Sequence, residues 1–107
     1  MSIARPIQMG ELPNFQTHGI RYVYAIAEIG EENIIKIGRA AHHLWRISEL
    51  QMGNRRDLVL LGAWEVARVN AAALERLVHN KFSHRRVAGE WFNVPIEELA
   101  TFIARVG

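Results

Sequence analysis

The chain has 107 residues, half of them hydrophobic and about a fifth charged, which suits one globular domain with a single core. It contains no cysteine, so disulfides, thiolate zinc sites and a cysteine nucleophile are excluded, in keeping with a reducing compartment. No apolar run approaches the roughly 18 residues of a membrane span. The N-terminus lacks the basic-then-apolar pattern of a signal peptide. A cytoplasmic protein with no membrane partner is expected.

The formal net charge is only +2, but it is unevenly spread. Lys36, Arg39, Arg46, Arg55 and Arg56 face a single acid, Glu49, between positions 36 and 56. Arg76, Lys81, Arg85 and Arg86 follow with no acid among them. Eleven of the thirteen cations are arginine, whose planar fork suits phosphate. Charge count alone is equally consistent with an ordinary solvated surface. Two basic segments flanking one candidate site point to a polyanion partner.

From the N-terminus, residues 1–20 carry Pro6, Gly10, Pro13 and Gly19 with weak periodicity, and read as an arm without strong regular structure. Residues 21–107 form the domain. Tyr22 to Ala27 is rich in β-formers and Asn33 to Ile37 is its hairpin partner, across a loop from Glu28 to Glu32. That loop pairs Ala27 with Asn33, and therefore Tyr24 with Lys36, on one sheet face. A slip of one residue would send Lys36 to the other face.

His43 to Met52 reads as a helix with Leu44, Ile47 and Leu50 or Gln51 inward, stopped by Gly53-Asn54. Leu58 to Val66 reads as a central third strand. Asn70 suits an N-cap for a helix over Ala71 to Phe82, with Ala73 or Leu74, Leu77, Val78 and Phe82 inward. Gly89 to Asn93 is a short extended piece. Pro95 fits the first turn of a last helix with Ile96, Leu99, Phe102 or Ile103, and Val106 on its apolar side. The expected fold is α/β (α+β): a small three-stranded antiparallel sheet flanked by helices, in the order ββαβαα.

Several ordered motifs then resemble a known family. Tyr22-Val23-Tyr24 and Lys36-Ile37-Gly38 stand where the GIY-YIG nuclease superfamily carries its two signature strands. Arg46 follows in the first helix, and Glu75 lies in a later one. Val23 to Ile26, Ile35 to Gly38, Arg46 to Gln51, Leu74 to Phe82 and Gly89 to Phe92 together resemble a short phage and bacterial branch, the DNA-binding domains of meiotically-up-regulated-gene type. The resemblance spans about residues 21–103. It implies a GIY-YIG-like fold and a small endonuclease or nickase that hydrolyses phosphodiester bonds in DNA with one Mg²⁺ or Mn²⁺ ion.

Each residue carries a plain reading beside the functional one. Tyr24 is either an amphipathic core tyrosine or a general base whose ionised form nearby cations would favour. Lys36 is a solvated strand lysine, or a group that holds phosphate and polarises Tyr24. Arg46 pairs with Glu49, or stabilises charge on the phosphate. Glu75 is a helix-face carboxylate, or the metal ligand. His79, four residues on, orients Glu75 or touches phosphate. A zinc site is disfavoured because other ligands are missing. Arg39, His43, Arg55, Arg56, Arg85 and Arg86 are candidate contacts to the nucleic-acid backbone. Tyr22 and Asn93 are accessory candidates. The three tryptophans, Trp45, Trp64 and Trp91, are expected to be core or half-buried. Weak sequence preference is expected, unless a partner or a homodimer supplies it. A catalytically inactive nucleic-acid-binding module, or a regulatory protein reusing the cleft, is the rival reading.

Overall fold

The computed structural model describes residues 4–7 and 19–106. Its elements are β1 (Ala4–Pro6), β2 (Ile20–Glu28), β3 (Ile34–Ala40), α1 (His43–Met52), β4 (Leu58–Ala67), α2 (Arg68–Lys81), a 3₁₀ turn (Ser83–Arg85), β5 (Arg86–Ala88), β6 (Trp91–Asn93) and α3 (Ile96–Val106). The strands form one antiparallel sheet in the order β1-β4-β2-β3-β6-β5. The mixed α and β class holds, but the sheet has six strands where three were expected. The added strands, β1, β5 and β6, are three residues each, too short for alternation to register as a pattern. β1 falls inside the arm expected to lack regular structure. The rest of that arm, 1–3 and 8–18, lies outside the described residues.

The long strands alternate between two covered faces. Val23, Ala25, Ala27, Ile35 and Ile37 point to the main core, which α2 and α3 close with Ala71, Leu74, Val78, Phe82, Leu99 and Ile103. Tyr22, Tyr24 and Ile26 point to the opposite face, under α1, where the His43 ring packs on Tyr22 at 4.5 Å. α1 has the expected limits but a different inward side. His43 is its buried residue, whereas Leu44 and Trp45 are exposed. Leu77 on α2 is also exposed, so the inward stripe there is Ala71, Leu74 and Val78.

The start of α2 departs from expectation too. β4 runs directly into it, with Ala67 at the N-cap, so Asn70 lies in the first turn and caps nothing. One orphan donor is met from elsewhere: the Arg68 N–H donates to the Gly19 carbonyl at 2.6 Å. At α3 the Pro95 carbonyl accepts from Glu98 and Leu99, so the helix opens where proline suited it.

The β2–β3 register differs from the expected one by two residues. Ala27 opposes Ile35, Tyr24 opposes Gly38, and Lys36 opposes Ile26. A shift of two preserves the face, so Lys36 and Tyr24 still share a side, displaced along the strands. The reason is the turn. Gly30 takes φ +94, and the Ile34 N–H bonds back to the Glu31 carbonyl, so β2 runs on through Glu28, β3 starts at Ile34, and the five-residue loop moves one place along the chain. Because Tyr24 faces a glycine, its ring lies across β3. A methyl group at Gly38 would sit 2.5 Å from the Tyr24 hydroxyl and 2.7 Å from Cζ.

This contact predicts that Gly38→Ala destabilises the fold by about 1–3 kcal/mol, the usual cost of overpacking against a rigid ring. Urea denaturation of the variant, alone and combined with Tyr24→Ala, reads it. Equal losses in both backgrounds would show that the ring is not what the methyl group meets.

Candidate functional site

β6 pairs only with the first half of β3, from Ile34 to Lys36. The second half of β3 is therefore a sheet edge, and the chemistry-bearing side chains gather there. Two hydrogen bonds to one residue organise them. The Ile37 N–H donates to the Glu90 carbonyl at 3.0 Å. The Ile37 carbonyl accepts from His79 Nε2 at 2.8 Å. A carbonyl can only accept, so Nε2 carries the imidazole proton and Nδ1 keeps a lone pair. The His79 ring is set further by Phe92, 5.0 Å away between centroids.

Glu90 sits in the β5–β6 turn, next to Gly89, whose φ of +54 the turn requires. Its carboxylate accepts from Lys36 Nζ at 3.0 Å. Glu75, on α2, holds Arg39 Nε at 3.4 Å. A ligand atom each from Glu75, His79 and Glu90 lies within 4.8 Å of the others. Helix spacing brings the first two together, one turn apart. The β5–β6 hairpin brings the third.

On the α1 side of the edge stands Tyr24, 2% exposed, with its hydroxyl at Gly38. Arg46 reaches it from α1. The Arg46 guanidinium is held above its usual range, first by its hydrogen bond to the Tyr24 hydroxyl, then by the tyrosine's own charge, and further by Glu49 and Glu90. The Glu49 pair expected of Arg46 also forms, at 3.8 Å. Arg46 thus lies between Glu49 and Tyr24. A cleft of about 270 Å³ beside Lys36 is lined by Ile26, Glu49, Leu50, Asn54 and Trp91 among others.

The arrangement thus brings together Tyr24, Lys36, Arg46, Glu75, Arg39 and His79. Glu90 ties the two sides of the edge. Sequence reasoning missed Glu90 as a site residue, although it sits in the Gly89-Glu-Trp-Phe motif, where an acid after a positive-φ glycine marks a turn tip. Other expectations do not hold. His43 and Tyr22 pack on one another under α1, rings 4.5 Å apart, whereas Tyr24, equally buried, has its hydroxyl at Gly38 on the edge. Asn93 stands opposite Ile34, at the far end of β6 from Glu90. It lines a separate, roomier hollow of about 630 Å³ with Arg85, Arg86 and Glu98. Arg85 and Glu98 neutralise one another there at 2.8 Å.

Arg86 lies over the Phe92 ring at 5.2 Å, on the ring that also backs His79. Arg56 pairs with Glu28 and Glu31 beside the β2–β3 turn, and Arg55 is exposed next to it. Trp45, expected to be core or half-buried, is 69% exposed beside Arg46. No helix among the described residues is long and apolar enough to cross a membrane.

Comparison with known proteins gives one match. The family model of the T5orf172 domain matches residues 21–107. No curated protein and no solved structure matches. The family match corrects the resemblance drawn from the sequence, since it is to a different family from the GIY-YIG superfamily. The two defining positions of that resemblance have their own explanation here. Tyr22 fills the space under His43, and Lys36 pairs with Glu90.

In the Lys36–Glu90 pair the lysine is mostly buried and the carboxylate is open to water, with side-chain exposures of 16% and 43%. Such pairs contribute about 0–1 kcal/mol. Lys36→Met and Glu90→Gln should therefore each shift the free energy of urea unfolding by less than about 1 kcal/mol. A loss above about 3 kcal/mol in either would mark the pair as structural.

Proposed function

The chain belongs to the T5orf172 domain family, and from that premise we propose that it is a small divalent-metal-dependent nuclease or nickase hydrolysing phosphodiester bonds in DNA. The observation that carries this reading is the meeting of Tyr24 and Arg46, two further cations and carboxylates at one open strand edge. Tyr24 is the general base: its oxygen is the proton acceptor, and the Arg46 guanidinium stands near it. Arg46 and Lys36 stabilise the charge that develops on the phosphate. Arg39, half exposed, stands ready on the other side of β3.

Glu75 is the metal ligand. Its carboxylate is mostly buried, carries hard oxygen donors and has one oxygen engaged by a displaceable arginine, which fits Mg²⁺ or Mn²⁺. Such an ion, when bound, supplies charge neutralisation and water activation. Arg55, Arg56, Arg85 and Arg86 track the nucleic-acid backbone, contacts that add affinity without sequence preference.

One observation favours a second reading, a nucleic-acid-binding module without catalysis. Lys36 and Arg39 already satisfy both carboxylates, so the edge is electrically balanced as it stands. Plasmid nicking at low salt with Mg²⁺ or Mn²⁺ separates the two. The nuclease reading expects cleavage that falls by about 10²-fold or more in Tyr24→Phe and is lost in Glu75→Gln. Salt-steep DNA association with no cleavage under either metal supports the binding module. Equal cleavage by wild type and Glu75→Gln overturns the assignment of the metal ligand.

A further inference from the structure

We propose that Glu75, His79 and Glu90 form a three-ligand site for a first-row transition ion, Mn²⁺ or Zn²⁺ in preference to Mg²⁺, whose carboxylates Arg39 and Lys36 hold until the ion binds. The inference rests on the reading of this edge as a metal-dependent site, and it adds two ligands and a class of ion.

The geometry is already close. Ligand atoms about 2.0–2.2 Å from an ion lie at most about 4.4 Å apart. The three side chains offer atoms within 4.8 Å of one another, so side-chain shifts of under about 1 Å close the site. Two of the ligands are fixed by backbone. The Ile37 carbonyl takes the Nε2 proton of His79, which settles the tautomer and leaves Nδ1 as the donor nitrogen. The Ile37 N–H holds Glu90 by its carbonyl, and the β5–β6 hairpin presents that carboxylate to α2. Glu75 is one helical turn from His79.

The donor chemistry selects the ion. Two carboxylate oxygens and one imidazole nitrogen suit manganese and zinc. Magnesium keeps to oxygen ligands and gives up its waters reluctantly. Three protein ligands also leave coordination positions open.

The charges explain how the site stays balanced when no ion is bound. Each carboxylate carries one cation, Arg39 at 3.4 Å on Glu75 and Lys36 at 3.0 Å on Glu90. A divalent ion brings the same total charge as those two cations. Its arrival frees a guanidinium and an ammonium for another anion at the same edge. Removing Arg39 therefore removes a competitor and strengthens metal binding.

The test uses the metal alone, without nucleic acid. Titration calorimetry with Mn²⁺, Zn²⁺ and Mg²⁺, together with Mn²⁺ electron paramagnetic resonance, reads stoichiometry and affinity on the full chain. One ion per chain is expected, with Mn²⁺ and Zn²⁺ at least about tenfold tighter than Mg²⁺. Glu75→Gln and Glu90→Gln should each weaken Mn²⁺ by about tenfold or more. His79→Asn should narrow the preference for Mn²⁺ over Mg²⁺. Arg39→Ala, a surface change, should tighten Mn²⁺ several-fold.

No saturable Mn²⁺ or Zn²⁺ binding at millimolar concentration overturns the site. So does binding that Glu90→Gln and His79→Asn leave unchanged in folded protein, as judged by circular dichroism. Binding that Arg39→Ala does not strengthen overturns the competing role of the cations. Metal binding as described, but without DNA cleavage, would sink the nuclease reading and leave this site standing.

Discussion

The peptide groups of Ile37 hold the working edge of the molecule together. One donates to the carbonyl of Glu90 and the other accepts from His79, so β3, α2 and the β5–β6 hairpin meet at a single residue. The Ile37 side chain is fully buried in the main core, so the strand cannot slide here without disturbing packing. An open edge normally leaves its donors and acceptors to water or to another chain. Here an imidazole takes one of them, and the same contact orients that imidazole. One hydrogen bond thus both satisfies the strand edge and sets the ring beside Glu75 and Glu90.

The electrostatics of the edge follow from short pairs. Glu75 and Glu90 each hold a cation, and Arg46 is shared among Tyr24, Glu49 and Glu90. Elsewhere the arginines are often neutralised: Arg5 by Glu65, Arg56 by Glu28 and Glu31, Arg85 by Glu98. The basic segments therefore offer a polyanion less free charge than their sequence suggests. Pairs this exposed are weak, and phosphate can exchange for a carboxylate at small cost. Arg39 and Arg46, about half exposed, are the cations nearest the edge that combine access with a position beside the carboxylates.

α1 shows how a narrow contact misleads periodicity. The helix covers only a strip of sheet made by Tyr22, Tyr24 and their neighbours, so one turn decides what is buried. The ring of His43 takes that place, and the apolar Leu44 and Trp45 next to it remain in water. A hydrophobic stripe presumes a broad apolar partner, and on this face the partner is a tyrosine-lined surface.

Local patterning was enough to place the long elements and their order. β2, β3, α1, β4 and α3 are legible through alternation, helical spacing and turn residues, which are properties of short stretches of chain. Tyr24, Lys36, Arg46 and Glu75 were singled out by a family resemblance, and each also had an ordinary core or surface reading. The register that sets Tyr24 over Gly38 came from the folded chain alone, because a turn can move one residue along the chain at little local cost. So did the meeting of Glu90 with His79 and Glu75, which depends on two three-residue strands too short to leave a pattern. Folding also set His43, Tyr22 and Asn93 apart from the site, for packing partners and strand position are properties of the packed chain and are not written at any one residue.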